Sequence, residues 1–431
     1  MLTGTRRPWT SEAAERNGAA RGSQASRISP LDPYCLKVLL QLRLHRYPWD
    51  DCRGTTEGAC VEIGDLDGAT ADSLRLNAIC PYYTMFPLDF PLQQLTATPS
   101  ARAVLDPFCG RGTTLFASRL HGIRAVGVDI NPVASAIAAA KLVRVTPGAV
   151  VRLVRRLINL YDGTPVPEGE FWERAFAPST LQELSAVRQG LLEATDRPTV
   201  LMARALLLGI LHGPQNKGLP SYLSNQMPRT YASKPDYSVR FWQKRGMLPP
   251  SVDVLDVVAR RAEYSLRSLG PSGIGRVYCG DAAVVLAGMA REKFDLVVTS
   301  PPYYGMRTYV SDQWLRAWFL GGPPRPEYDS RGQIARTPSQ EAFVEALARV
   351  WRGTAFRCRS EARLAIRFGA LPSARTKPAQ MILNSLTAAN AGWRVLEVRD
   401  VGTPSSQRRQ AEQFVTAGNA VPEYDIIAQL G

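Results

Sequence analysis

Thr299-Ser300-Pro301-Pro302-Tyr303 directly follows the apolar run Phe294 to Val298. Two consecutive prolines fix φ and remove two backbone donors, so carbonyl oxygens at this turn are left free to accept hydrogen bonds. A serine oxygen and a proline carbonyl side by side can take both N–H hydrogens of a primary amine. An exocyclic amine on an aromatic base is a poor nucleophile, because its lone pair is delocalised into the ring. Two acceptors favour the pyramidal form, in which the lone pair is aimed outward at an electrophile. Tyr303 adds a flat face for a base rotated out of its stack. The plainer alternative is a rigid Pro-Pro turn after a strand.

A second constellation lies far upstream: Asp106-Pro107-Phe108-Cys109-Gly110-Arg111-Gly112-Thr113-Thr114. It sits where a strand turns into a helix. Two glycines let the backbone bend tightly and approach a ligand without Cβ clashes. The helix start beyond them offers unpaired N–H groups and the positive end of a dipole, which suits a carboxylate or a phosphate. The pattern is neither the dinucleotide glycine fingerprint nor a Walker loop, since no Gly-Lys-Ser/Thr follows. Asp129-Ile130-Asn131-Pro132 ends the next strand. Asp129 follows Asp106 at about the 20-residue spacing of a ribose-binding acid, although an acid there also serves as a helix cap. Gly280-Asp281 follows a later strand, and its carboxylate is either an acceptor for a ligand amino group or a turn residue.

These residues need strands that end side by side. From Ala101 the chain alternates strand and helix. Ala103 to Asp106 and Arg124 to Asp129 read as strands, a helix runs from Thr114 to Leu120, and Pro132 opens another that reaches Lys141. Arg276 to Cys279, Phe294 to Thr299 and Ala362 to Phe368 continue the strands. Helices are expected at Ser339 to Phe356 and Pro378 to Ala391. Two final strands, Arg394 to Val401 and Tyr424 to Gln429, have no helix between them and so fit as antiparallel neighbours. Residues 145–272 break the rhythm. Val150 to Ile158, Met202 to Leu211 and Val254 to Leu266 have helical spacing, and Gly213 to Pro250 reads as a long loop. We therefore expect an α/β fold in three parts: a basic tail at 1–30, a catalytic domain at 31–144 and 273–431, and a mainly helical insertion at 145–272. A short helix is expected at Leu36 to Leu44 and a loop at Asp50 to Asp72.

The chain has 431 residues, a hydrophobic fraction of 45% and a net charge of +14, a balance that suits a core-forming protein with a polyanionic partner. Its seven cysteines are scattered without a C-x-x-C pair and its histidines number three, which argues against a disulfide framework, a zinc knuckle and His-based metal chemistry. No apolar leader or membrane-length run is evident, so the expected setting is cytoplasmic, with no membrane partner.

Taken together, D-P-F-C-G-R-G-T-T resembles motif I of the S-adenosylmethionine-dependent amino methyltransferases, and T-S-P-P-Y resembles their motif IV. Tyr83 to Leu95, with Phe86-Pro87 and Phe90-Pro91, is similar to the segment that precedes motif I there and helps enclose the cofactor. The resemblance covers residues 80–142 and 275–310. It implies a Rossmann-like class I methyltransferase sheet of seven strands. It implies S-adenosyl-L-methionine as cofactor, bound by Phe86, Asp106, Pro107, Phe108, Gly110, Gly112, Thr113, Asp129, Asn131 and Asp281, with Asp129 on the ribose and Asp281 on the adenine. Ser300, Pro301, Pro302 and Tyr303 would bind and activate the target amine. S-P-P-Y is associated in that family with N4 of cytosine, and D-P-P-Y or N-P-P-Y with N6 of adenine. The implied partners are duplex DNA with a flipped target base, and a cognate restriction endonuclease or defence-system component. The insertion stands earlier in the chain than the usual target-recognition domain. Its segment Met227 to Tyr231 through Trp242 to Arg245 mixes cations and aromatics suited either to phosphates and bases or to its own core. Methylation of adenine N6 in DNA, methylation of guanine N2 in RNA, and an inactive subunit that grips nucleic acid are the competing readings. No Pro-Cys dipeptide of the carbon-5 cytosine enzymes is present, and direct transfer to nitrogen needs no covalent intermediate.

Overall fold

The computed structural model describes residues 74–82, 86–214, 219–228, 232, 234–266, 273–289, 293–306, 311–327, 333–371, 376–402 and 422–431. The expectations for residues 1–30, Leu36 to Leu44 and Asp50 to Asp72 lie outside them.

The strands are β1 (Ala103–Asp106), β2 (Arg124–Asp129), β3 (Gly275–Cys279), β4 (Phe294–Thr299), β5 (Cys358–Phe368), β6 (Trp393–Asp400) and β7 (Tyr424–Leu430). They form one sheet in the order β3-β2-β1-β4-β5-β7-β6. β1 to β5 pair in parallel, and β7 pairs antiparallel with both β5 and β6. The expected seven-stranded Rossmann-like sheet is what the chain builds, with its last two strands as antiparallel neighbours. The winding goes outward from β1 to β3 and then restarts on the other side at β4. The reversal lies between β1 and β4, and crevices at such switch points hold ligands.

The helices follow in chain order: α1 (Asp89–Thr96), α2 (Thr113–Leu120), α3 (Pro132–Ala140), α4 (Pro147–Leu160), α5 (Glu170–Ala175), α6 (Pro178–Glu193), α7 (Pro198–Ile210), α8 (Pro235–Lys244), α9 (Val254–Leu266), α10 (Ala282–Gly288), α11 (Trp314–Phe319), α12 (Gln340–Arg357) and α13 (Pro378–Ala389). Successive strand residues face opposite sides of a sheet, and a parallel sheet is covered on both. Leu105, Val126, Val297, Leu364 and Ile366 accordingly pack on one face with Phe343, Leu347 and Trp351 of α12 and with Ile382 and Leu386 of α13. Val104, Ala125, Leu296, Val298 and Ala365 face the other way, onto Phe90 and Leu95 of α1 and Leu115 of α2.

Residues 145–272 hold α4 to α9. Two of these, α5 and α6, carried no expectation, and α8 occupies part of the stretch read as a long loop. Pro235 is the first residue of α8, where its missing N–H costs nothing, so a proline that reads as a loop marker instead starts a helix. Apolar residues of α4, α6, α7 and α9 share one cluster with Val133, Ile137 and Ala140 of α3 and with Trp314 and Trp318 of α11. Trp242 of α8 is fully buried and donates through Nε1 to the Gln226 carbonyl at 2.6 Å, which puts it in the core. Tyr237 on the same helix is exposed, so a core role does not extend to it.

The α12–α13 face offers a local test. Trp351 is fully buried and donates from Nε1 to Ser385 Oγ at 2.8 Å. Ser385→Ala leaves that indole N–H without its acceptor. We expect a loss of about 1–3 kcal/mol in denaturant unfolding, the usual cost of one unsatisfied buried donor. A shift of less than about 0.5 kcal/mol, the range of surface substitutions, would mean that the bond carries nothing. Among the described residues no helix is long and apolar enough to cross a membrane.

Candidate active site

The two constellations read from the sequence meet at the β1–β4 reversal. β1 and β4 are paired, with Leu105 opposite Val297, so the Asp106 turn and the Thr299 turn leave the sheet side by side. Thr299 donates from Oγ1 to Asp106 Oδ1 at 2.6 Å, and both residues are buried. The Phe108 N–H donates to the same oxygen at 3.1 Å. Asp106 Oδ2 is buried and has no hydrogen-bond partner among the described residues. Burial pushes the Asp106 carboxyl up to about 7.

The glycine turn is tightly built. Gly110 and Gly112 both have positive φ, 50° and 80°, and Gly112 precedes the first residue of α2, the buried Thr113. A Cβ on Gly112 would stand 2.9 Å from both Cα and Cβ of Ala138 in α3. Pro107 is buried, and Phe108 packs edge-on against Trp351 at 6.1 Å. Cys109 lies under the turn, where burial drives its thiol pKa well up and leaves it a poor nucleophile. Cys80 is buried and shifted the same way.

Asp129 ends β2, next to this turn. Its Oδ2 accepts from the Gly110 N–H at 2.9 Å and its Oδ1 from the Asn131 N–H at 2.8 Å. Burial raises Asp129 to about 6. The helix cap, the alternative reading of Asp129, is supplied instead by Asn131, whose Oδ1 accepts from the Val133 N–H at 2.9 Å. Asn131 Nδ2 donates to Tyr82 Oη at 3.0 Å, so both polar ends of this side chain are committed within the protein. Asp281 stands beyond β3, whose Cys279 pairs opposite Asp129. Asp281 Oδ1 caps α10 through the Val284 N–H at 3.1 Å. Phe86 meets Phe90 edge-on at 5.5 Å, and the Arg367 guanidinium lies 4.4 Å above the Phe90 ring while it pairs with both carboxylate oxygens of Asp425.

At the second turn Pro301 is buried, while Ser300, Pro302 and Tyr303 are partly exposed. Among the described residues no hydrogen bond uses the Ser300 hydroxyl or the Pro301 carbonyl. The acceptor pair expected from the sequence is therefore unspent. Tyr303 is more tied than expected: its Oη donates to Glu423 Oε1 at 2.7 Å, and its ring meets Phe368 edge-on at 5.5 Å.

Several residues around the site escaped the sequence reading. Residues 74–82 form a strap that runs antiparallel to α3. Asn77 Oδ1 receives Lys141 Nζ at 2.6 Å at one end, and Tyr82 meets Asn131 at the other. Arg261 of α9 donates to the Ala78 and Ile79 carbonyls at 3.1 Å, and Arg316 of α11 to the Pro81 carbonyl at 2.7 Å. Residues 74–82 thus position Tyr82 against Asn131, beside the Asp129 turn. Glu423 is the other residue missed. Neither carries a local sequence signal.

The strand order and the glycine turn define a protein of the Rossmann-like class I methyltransferase fold. No protein-family model matches the chain. The chain is similar to the type II methyltransferase M.MvaI of Kocuria varians, with 25% identity over 243 residues, 50% of this chain and 51% of that protein. It thus spans about half the length of the curated relative it matches. Among solved structures it is similar to geranyl diphosphate C-methyltransferase from Streptomyces coelicolor A3(2), with a TM-score of 0.32, 10% identity, and coverage of 93% of this chain and 100% of that one. It is also similar to TrmN from Thermus thermophilus, with a TM-score of 0.29, 10% identity, and coverage of 80% and 49%.

Proposed function

We propose that this chain transfers a methyl group from S-adenosylmethionine to an exocyclic amino group of a nucleic-acid base, N4 of cytosine in duplex DNA. The observation that carries the reading is the Thr299–Asp106 hydrogen bond at 2.6 Å. It joins a glycine turn suited to an amino-acid carboxylate to a turn with two unspent acceptors suited to an amine. The similarity to a type II methyltransferase over half the chain supports it.

The residues fit the cofactor at Asp106, whose Oδ2 is a buried oxygen with no hydrogen-bond partner among the described residues. Asp106 and the N–H groups at the start of α2 would hold the methionine end, Asp129 the ribose, Asp281 the adenine, and Phe86 the outer wall. When bound, the cofactor supplies an electrophilic methyl on a sulfonium. The chain itself orients the amine. Ser300 Oγ and the Pro301 carbonyl accept its two hydrogens and Tyr303 gives the base a face to rest on, so the protein contributes orientation and fixed dipoles. Residues 145–272 contact the target in this reading. Exposed Arg152, Arg155 and Arg156 on α4 and Arg240, Lys244 and Arg245 on or just after α8 are suited to phosphates. A restriction endonuclease or defence-system component is the partner this implies.

Purified protein with labelled S-adenosylmethionine, offered duplex DNA and tRNA and followed by base-resolved sequencing, tests the proposal. N4-methylcytosine at one DNA motif is the expected product. N6-methyladenine would change the base, label only in tRNA would change the substrate, and cofactor binding without turnover would leave a nucleic-acid-binding subunit.

The two raised carboxyls give a pH signature. Asp106 and Asp129 titrate at about 7 and about 6, above the unfolded value near 4. Between those limits the folded protein binds more protons than the unfolded chain, so the stability of the free protein falls as pH rises from about 4 to about 7. The cationic cofactor favours the ionised carboxylates. Its affinity should therefore rise with pH through 6 to 7, by up to about tenfold per unit for each proton released. Calorimetry at pH 6 in buffers of different ionisation enthalpy should register that release. A flat affinity profile would remove both groups from the cofactor site.

A further inference from the structure

We infer that Glu423 is a positioning residue that sets the orientation of Tyr303. The inference rests on the proposed role of Tyr303 in holding the target base.

Glu423, Phe368 and Gly369 lie around the Tyr303 side chain. Its hydroxyl donates to Glu423 Oε1 at 2.7 Å, a short bond to an ionisable acceptor. Its ring meets Phe368, the last residue of β5, edge-on at 5.5 Å. The next residue, Gly369, leaves the space the pair needs: a Cβ there would stand 3.0 Å from Tyr303 Oη and 3.1 Å from Glu423 Cγ. Glu423 itself is rigidly mounted. It extends the antiparallel β6–β7 pairing by one rung, accepting from the Val401 N–H and donating to the Gly402 carbonyl, both at 2.9 Å. The β5–β7 register, with Phe368 opposite Tyr424, then carries its side chain over the end of β5 and onto the Pro-Pro-Tyr turn.

A tyrosine that only packed against Phe368 could pivot about its Cβ. Anchored at the hydroxyl as well, the ring has one orientation. It is only partly buried, so the anchored ring still offers surface to a base. Hydrogen bonds to charged acceptors are about twice as strong as neutral ones, which suits a residue that must not rotate when a base arrives. Pre-organisation of this kind is read in kcat, because a misaligned base reacts slowly even when bound.

The test is a double-mutant cycle on the full chain, assayed with labelled S-adenosylmethionine and the DNA substrate. Glu423→Ala should lower kcat about tenfold to a hundredfold, the range for a bond to a charged group. Its KM for the cofactor should stay unchanged. Glu423→Gln, which keeps a carbonyl acceptor at the same reach, should restore most of the rate. In a Tyr303→Phe background Glu423→Ala should have no further effect. Gly369→Ala, which leaves Glu423 in place but crowds the bond, should lower kcat in the same direction and covers the case in which Glu423→Ala does not fold. Equal losses from Glu423→Ala with and without the Tyr303 hydroxyl, or no loss at all, would overturn the inference. Failure of the wild-type chain to methylate any nucleic acid would instead overturn the proposed function beneath it.

Discussion

Gly112→Ala is expected to abolish measurable cofactor binding and to destabilise the fold by about 2–5 kcal/mol. Two costs combine. An L-residue held at φ 80° pays about 1–2 kcal/mol for the left-handed conformation. The new methyl also stands 2.9 Å from the Cα and Cβ of Ala138. Those atoms belong to the body of α3, which is packed on the sheet side and on the α4–α9 side, and overpacking of such a site costs about 1–3 kcal/mol. Relief requires the turn to move away from α3, and the turn is what holds Asp106 and, through the Gly110 N–H, Asp129 in place. Gly122→Ala is the internal control. Gly122 has φ 65°, yet nothing lies within 4 Å of its Cβ position. It should therefore lose about 1–2 kcal/mol from conformation alone and keep its cofactor affinity. Thermal unfolding and calorimetric titration of both variants separate strain from crowding. Equal losses in the two would show that the approach of α3 to the turn is irrelevant.

That contrast also marks what the sequence could reveal. The cofactor turn and the Pro-Pro-Tyr turn are local: each is written in a few adjacent residues, and each follows a short apolar strand. Their encounter needed only the parallel winding that the strand–helix alternation implies, and Thr299 and Asp106 do meet. The final antiparallel pair was legible for the same reason, since the sequence shows no evident helical pattern between β6 and β7. What could not be read is what comes from far away in the chain. Tyr82 reaches Asn131 because Lys141, Arg261 and Arg316 pin a strap whose own residues carry no motif. Glu423 reaches Tyr303 only through strand register. The helices of residues 145–272 were half legible. α4 and α9 show a strong apolar stripe, whereas α6 hides Thr180, Ser185 and Gly190 among its buried positions and so blurs the pattern. Asn131 carries a structural duty the sequence reading did not assign: the resemblance offered it as a ligand contact, and the fold uses its side chain to cap α3.

Ser300→Ala should separate chemistry from stability more cleanly than any other substitution at the site. Ser300 is partly exposed and its hydroxyl makes no hydrogen bond among the described residues, so the change orphans no buried group there and leaves unfolding free energy within about 0.5 kcal/mol. The catalytic effect runs the other way. If the amine must give up planarity before its lone pair can attack, the acceptors that hold its hydrogens act mainly as the transition state forms. Removing one pre-organised hydrogen-bonding group of this kind typically costs about 10²–10³ in kcat, or about 3–4 kcal/mol. The KM for the cofactor should be unchanged, because Asp106, Asp129 and the glycine turn are untouched. Pro301 would remain as the single acceptor and would account for the residual rate. Loss of base methylation in sequenced DNA, with normal cofactor affinity and normal unfolding, is the expected outcome. Full activity in Ser300→Ala would assign amine activation to the Pro301 carbonyl alone, and a loss matched by unfolding would mean that Ser300 acts through the fold.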